Sequence, residues 1–191
     1  MRTIIRNATL VNEGACFKGH LIIEDERIAE VLSSEGISDV PCDVEIDASG
    51  MYLLPGVIDD HVHFRDPGLT HKADMESESR AAASGGVTSY MDMPNTVPQT
   101  TSLETLDAKF VDAGKKSRVN YSFFFGVTND NAQLLPSLDK RRVCGVKLFM
   151  GSFKAAFYQS FASMFGASLK KTYDPEGEDA LIERVVVMVA Y

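Results

Sequence analysis

Residues 53–68 read LLPGVIDDHVHFRDPG, an apolar run that passes directly into a His-x-His pair. The apolar residues and the Pro-Gly entry predict a buried strand from Val57 to His63. Side chains alternate between the two faces of a strand, so His61 and His63 would project from the same face. Two imidazoles side by side can bind one metal ion such as zinc. The stretch therefore predicts a strand that ends at a metal site.

The neighbouring polar residues fit the same interpretation. Asp59 lies two residues before His61, on the same face, and could contact the metal or orient one of its ligands. Arg65 follows the expected strand end, where a guanidinium can offer paired donors to a substrate carboxylate. A bare His-x-His pair is more often a set of exposed or structural histidines, so the pair alone does not decide the matter.

The composition is that of an ordinary globular protein. The chain has 191 residues, 45% hydrophobic and 24% charged, which suffices for a buried core. The net charge of -8 leaves no basic patch for phosphates, so we expect no nucleic-acid partner. The amino terminus turns polar after two apolar residues, unlike a secretory signal or a membrane span. We therefore expect a cytoplasmic protein with no membrane partner, whose three cysteines are reduced thiols.

The pattern of secondary structure changes near residue 55. Residues 1–54 carry short β-rich segments with closely spaced turns, which predict a small β-sandwich segment. From residue 55 strands and helices alternate, as is typical of a parallel α/β unit. Because the active-site loops of a TIM-type barrel follow the carboxyl ends of its strands, functional residues are expected at those ends. The predicted strands of this unit are Val57–His63, Val87–Met93, Val119–Phe125 and Cys144–Met150.

Two helices are predicted between these strands. The first runs from Ala73 to Ser84 and ends at the Gly85-Gly86 pair, which suits a carboxyl-terminal cap. The second begins at Thr101, whose hydroxyl can cap the helix while Glu104 reaches back to it. The buried stripe predicted for this second helix consists of Leu103, Leu106 and Phe110.

Two further polar residues stand beside or within predicted strands. Asn95 follows the second strand in the sequence MPNT, where a turn residue is the ordinary explanation. Lys147 lies inside the apolar run GVKLFM, where the ordinary explanation is an edge-strand lysine with its amine in solvent. A lysine among apolar neighbours is nonetheless costly unless it has a partner. The residues alone leave both roles open.

Three separated motifs resemble the cyclic amidohydrolases of the dihydroorotase type, namely HVHFRDPG at 61–68, MPNT at 93–96 and VKLFM at 146–150. The resemblance covers about residues 1–152. It implies a partial TIM-type (β/α) barrel of the metal-dependent hydrolase type over residues 55–152, preceded by the small β-sandwich segment. It also implies an enzyme that interconverts the small molecules N-carbamoyl-L-aspartate and L-dihydroorotate in pyrimidine biosynthesis.

The same resemblance implies roles for five residues. His61 and His63 would hold one zinc ion, and Lys147, carbamylated by carbon dioxide, would bridge it to a second. Arg65 and Asn95 would hold the carboxylate of the substrate. Hydantoinases and allantoinases share the metal chemistry and form the alternative within the enzyme class, although they need not grip a ring carboxylate.

The resemblance ends after Ser152. The family supplies two later histidines for the metal pair and a late aspartate as general base, whereas this chain has no histidine after His71, so its general base stays unknown. A closed eight-stranded barrel also takes about 250 residues. We expect a part of a longer enzyme, the alternative being a shortened, non-catalytic relative. Residues 153–191 are expected to form a helical tail, and unpaired strand edges lead us to expect a homo-oligomer.

Overall fold

The computed structural model describes residues 1–33, 40–149 and 185–188. The chain divides into two compact units, Met1–Gly56 and Val57–Tyr191. The helix expected near the start of the 153–191 tail lies outside the described residues, as does Met150, the last residue of the fourth predicted strand. Within the described ranges, no helix is long and apolar enough to cross a membrane.

The first unit is one β-sheet of five strands. Strands β1, β2 and β3 pair antiparallel, whereas β4 and β5 both pair parallel with β1. The β-rich segment that the sequence predicts is therefore present, with its strands joined in a single sheet. The strand bounds are β1 (Arg2–Asn12), β2 (Ala15–Glu24), β3 (Arg27–Ser33), β4 (Val44–Asp47) and β5 (Tyr52–Leu53).

A tight turn sets the pairing of the first two strands. The chain reverses at Glu13 and Gly14, with φ of 49° and 77°. Positive φ at both central residues is what a type I′ turn requires, and its twist matches that of the flanking strands. The buried apolar side chains of the two paired strands are Ile4, Ala8, Leu10, Leu21 and Ile22.

The second unit is a parallel sheet with helices between its strands. The strand order is β10-β9-β8-β7-β6, with β6 to β9 parallel and β10 antiparallel to β9. This order confirms the α/β class and the partial TIM-type barrel. The elements in chain order are β6 (Val57–Val62), α1 (Met75–Ser84), β7 (Val87–Asp92), α2 (Leu103–Lys116), β8 (Asn120–Gly126), a 3₁₀ helix (Ala132–Ser137), β9 (Val143–Phe149) and β10 (Val185–Met188).

Strand β6 is exposed, so the expectation of a buried strand is wrong for these residues. The side chains of Val57 and Ile58 are 54% and 61% exposed. In the described sheet β6 lies at the edge and pairs only with β7. An apolar run predicts burial, but the burial of an edge strand depends on the elements that cover it, which the sequence of the strand does not encode.

Helix α2 begins one residue later than the sequence predicts. Its N-cap is Ser102, whose hydroxyl accepts a hydrogen bond from the backbone N–H of Thr105 at 3.1 Å. The hydroxyl of Thr105 accepts in return from the Ser102 N–H at 3.1 Å. The predicted cap, Thr101 with Glu104, is therefore wrong, because a reciprocal capping pair is completed one position further along.

The core of the second unit surrounds strand β8. Phe123, Phe124 and Phe125 are each at most 1% exposed, as expected for a central strand covered on both faces. Phe64, in the loop after β6, packs against Tyr90 of β7 with ring centroids 4.4 Å apart. The core thus fixes the loop after β6 against the neighbouring strand.

Candidate active site

The carboxyl ends of parallel strands lie at the same edge of a sheet, and the residues predicted to form the site lie at or near this edge. His61 belongs to β6, while His63 and Arg65 follow its end. Asn95 follows β7, and Lys147 of β9 pairs with Gly126, the last residue of β8.

The paired histidines lie side by side, with ring centroids 5.3 Å apart. The Nδ1 atom of His63 is 2.8 Å from Oδ1 of Asn95. An amide oxygen only accepts hydrogen bonds, so His63 Nδ1 is the donor, which leaves Nε2 as the ring nitrogen that could bind a metal ion. Metal-binding imidazoles usually donate their second ring N–H to an oxygen in this way. The structure thus brings together two residues that the sequence assigned to different roles.

The histidine pair fits a zinc ion as two nitrogen ligands. Asp59 is exposed, and its Oδ1 accepts a hydrogen bond from the backbone N–H of His61 at 3.2 Å. Across the part of the chain that the structure describes, no group of three or more His, Cys, Asp or Glu residues is placed to hold a metal ion. Further ligands would have to come from other groups, such as a carbamylated Lys147.

Lys147 is buried, with only 2% of its surface exposed. Its backbone carbonyl accepts a hydrogen bond from the Val127 N–H at 2.9 Å, which fixes it at the end of β8. Strands β7 and β8 lie between β9 and β6. Three strand spacings of about 4.8 Å separate β9 from β6 by about 14 Å along the sheet, and curvature of the sheet makes the straight-line distance shorter. The role of Lys147 as a metal ligand stays a prediction.

Arg65 has an unusual backbone conformation next to the histidine pair. Its φ is 62°, in the left-handed region that costs a residue with a side chain about 1 kcal/mol. The carbonyl of Arg65 accepts a hydrogen bond from the Leu69 N–H at 3.0 Å, which closes a turn. The guanidinium makes no hydrogen bond or ion pair with any residue in the described ranges. It is therefore available for a ligand as far as this part of the structure is concerned.

A buried ion pair lies behind this loop, and sequence reasoning missed it. Nζ of Lys109 in α2 is 2.7 Å from Oδ2 of Asp92 in β7, and both side chains are 1% exposed. Burial lowers the pKa of Lys109, and the charge of Asp92 opposes that shift. The available signal was helical spacing, since Lys109 lies three residues after Leu106 and four before Ala113, both of which are buried.

A second buried carboxylate, that of Asp66, holds the end of the HVHFRDPG motif in place. Asp66 is 2% exposed and accepts hydrogen bonds from Nζ of Lys116 at 2.9 and 3.1 Å. The hydrogen bond from Lys116 to Asp66 raises the pKa of that lysine. The backbone N–H of Met75 also donates to Asp66, at 3.3 Å. Asp66 thus ties the loop after β6 to the start of α1 and to the end of α2.

Gly68 should not tolerate a side chain, and Gly86 provides a matched control. Both have positive φ, 84° and 83°, but a Cβ at Gly68 would lie 2.0 Å from the carbonyl oxygen of Val97, whereas at Gly86 nothing lies within 4 Å. We expect G86A to lower the free energy of unfolding by about 1 kcal/mol through strain alone. G68A adds steric overlap and should cost about 3 kcal/mol. Equal losses in urea unfolding would contradict the close approach.

Fold and site together resemble one class of protein, the cyclic amidohydrolases. In particular, the chain is 38% identical over 130 residues to the dihydroorotase of Lactobacillus johnsonii, which covers 68% of this chain and 29% of that protein. It is 30% identical over 181 residues to the L-hydantoinase of Paenarthrobacter aurescens, and this alignment covers 94% of this chain and 36% of that protein. The solved L-hydantoinase (dihydropyrimidinase) from Arthrobacter aurescens matches with a TM-score of 0.66 and 32% identity, over 75% of this chain and 31% of that one.

These matches confirm the resemblance to dihydroorotase and its relatives. The chain spans only 29% and 36% of the lengths of the two relatives just described. The alignment with L-hydantoinase is 181 residues long, so it extends past Ser152, where the motif resemblance ended. Residues 142–188 also match the family described as Domain of unknown function (DUF4294), which assigns no activity.

Proposed function

We propose that the protein is a metal-dependent cyclic amidohydrolase of the dihydroorotase type, interconverting N-carbamoyl-L-aspartate and L-dihydroorotate. The observation that carries this proposal is the 2.8 Å contact between His63 and Asn95. The contact would orient one imidazole of the pair for metal binding, and Asn95 would stand beside the segment that carries Arg65. In this proposal the protein acts on small molecules in pyrimidine biosynthesis.

His61 and His63 would hold one zinc ion, and a carbamylated Lys147 would bridge it to a second. When bound, the two ions would polarise the amide carbonyl and lower the pKa of the attacking water. Carbamylation turns a buried cation into an anionic oxygen ligand. That change would suit the buried position of Lys147, which is 2% exposed near the end of β9. The general base is not assigned.

Arg65 and Asn95 would orient the substrate through its ring carboxylate. The amide oxygen of Asn95 is occupied by His63, but its amide nitrogen can still donate to a carboxylate oxygen. The guanidinium of Arg65 offers paired donors that match a carboxylate. One asparagine can therefore fix a metal ligand and contact the substrate at the same time.

Hydantoin ring opening is a second candidate. The alignment with L-hydantoinase covers 94% of the chain, against 68% for the dihydroorotase. A hydantoin ring carries no obligatory carboxylate, so this candidate gives Arg65 no comparable role. Allantoinase activity belongs to the same alternative.

The variant R65M separates the two candidates. Loss of a charge-assisted hydrogen-bond pair costs about 1.5–3 kcal/mol, so R65M should raise KM for dihydroorotate by about 10- to 100-fold. The effect on hydantoin should be much smaller. Arg141, exposed and following the 3₁₀ helix, supplies the control R141M. Hydrolysis is followed on the zinc-loaded protein with dihydroorotate, hydantoin and allantoin. Activity on hydantoin alone favours the second candidate, and activity on none contradicts both.

A further inference from the structure

The end of β7 holds the segment around His63 from both sides. The carbonyl of Val62 accepts a hydrogen bond from the Met93 N–H at 3.0 Å. The N–H of Phe64 donates to Oδ1 of Asp92 at 2.9 Å. His63 thus lies between two backbone groups that are each fixed by β7 or by the residue that follows it.

The carboxylate of Asp92 is in turn held by α2. Its Oδ2 pairs with Nζ of Lys109 at 2.7 Å. The same Nζ donates to the carbonyl of Met93 at 3.1 Å and lies 4.7 Å from the centre of the Phe123 ring. One buried ammonium group therefore contacts both Asp92 and Met93, the two residues that hold the segment around His63.

A buried ion pair is by itself weak evidence for a gain in stability. Both side chains are 1% exposed, and burial penalises both charges. Replacing a buried ion pair by apolar residues of similar size is often neutral or stabilising. What an apolar pair cannot provide is an acceptor for the Phe64 N–H. That N–H precedes Arg65, whose φ of 62° persists only if the surrounding contacts hold it.

We propose that Asp92 is a positioning residue that holds residues 63–65 in the conformation needed to bind the metal and the substrate carboxylate, and that Lys109 balances its buried charge. The inference rests on the proposed function, since it assigns the pair to that same site. Neither residue contacts a reacting atom in this proposal. The effect of Asp92 passes through the backbone of Phe64 to His63 on one side and to Arg65 on the other.

Two double variants separate the effect of the hydrogen-bond acceptor at position 92 from the effect of the ion pair. D92N/K109M and D92L/K109M both remove the two charges, but only the asparagine keeps an oxygen for the Phe64 N–H. We expect D92N/K109M to resemble the wild type in amide hydrogen exchange at Phe64 and in zinc affinity by titration calorimetry. We expect D92L/K109M to exchange Phe64 at least about tenfold faster and to bind zinc about tenfold more weakly, the size reported for lost outer contacts of metal ligands.

Thermal unfolding of both double variants is measured in parallel. If Asp92 had a merely structural role, two double variants with the same Tm would bind zinc with equal affinity. Unchanged Phe64 exchange or unchanged zinc affinity in D92L/K109M would overturn the inference. If D92L/K109M does not fold, D92A/K109M replaces it, since it removes the acceptor without adding bulk.

A wild type that takes up no zinc would contradict the proposed function instead. In that case the NMR shifts of the His63 ring nitrogens are the readout of positioning. If these shifts differ from the wild type in D92L/K109M but not in D92N/K109M, the inference is supported. If the shifts are the same in both double variants, the inference is overturned.

Discussion

Replacing both histidines, H61A/H63A, should lower the zinc affinity by more than about 100-fold. The reason is that loss of an outer hydrogen-bond partner of a metal ligand already costs about 10- to 100-fold, and here two ligands themselves are removed. The exposed edge strand that carries His61 should keep its fold, because the only side-chain hydrogen bond lost in the described residues is the half-buried one from His63 to Asn95. Titration calorimetry with zinc on apoprotein measures the effect.

His71 provides the control for this prediction. It is exposed and lies in the loop before α1, so H71A should bind zinc as the wild type does. Equal zinc affinity in H61A/H63A and the wild type would show that bound zinc is held elsewhere. A matching loss in H71A would show instead that the loop, rather than the His-x-His pair, supplies a ligand.

Lys109→Met should be the most destabilising of the single substitutions considered for this protein. It leaves the carboxylate of Asp92 buried without its cation, and breaking a buried pair in this way costs about 3–5 kcal/mol. Asp92→Asn on the same background removes the orphaned charge, so D92N/K109M should recover to within about 1 kcal/mol of the wild type. Urea unfolding followed by circular dichroism gives the free energies.

Lys115 lies on the same helix and is exposed, which makes K115M the matched control. Surface substitutions of this kind usually change stability by at most about 0.5 kcal/mol. Similar losses in K109M and K115M would mean that the buried pair contributes no more than a surface lysine. Failure of D92N to rescue K109M would mean that the cost lies in packing rather than in charge.

The four parallel strands and the two α-helices of the second unit were predictable because each one carries a local signal. The run from Val87 to Asp92 contains the strand-forming residues Val87, Thr88 and Tyr90, and it follows the Gly85-Gly86 pair that ends α1. Turn residues and caps restrict where a helix or strand can begin, so the four predicted strands lie within one residue of their observed bounds. The predicted cap at Thr101 is also wrong by one residue, since the neighbouring Ser102 can form the same kind of cap.

Long-range properties could not be predicted in the same way. The exposure of Ile58 depends on what covers the edge of the sheet, and the strand β10 lies far along the chain from its partner β9. Residues 185–188 of the expected helical tail form this strand. Strand pairing across such a distance leaves no local pattern that distinguishes it from another apolar segment.

In the candidate site, too, local relations were predictable and long-range contacts were not. Period-two alternation correctly placed His61 and His63 side by side, because that relation involves only three consecutive residues of extended chain. The bond from His63 to Asn95 joins residues 32 positions apart, and no local pattern pairs these two side chains. Lys109 was missed because a lysine at helical spacing is ordinarily a solvent-exposed residue, and only the position of Asp92 makes its burial possible.

X-ray absorption at the zinc edge of the zinc-loaded wild type tests the histidine site most directly. We expect nitrogen and oxygen neighbours at about 2.0–2.2 Å and the outer scattering of two imidazoles, with one of them lost in H63A. Sulfur neighbours at about 2.3 Å would contradict the assignment, because they would place the metal on cysteine rather than on His61 and His63.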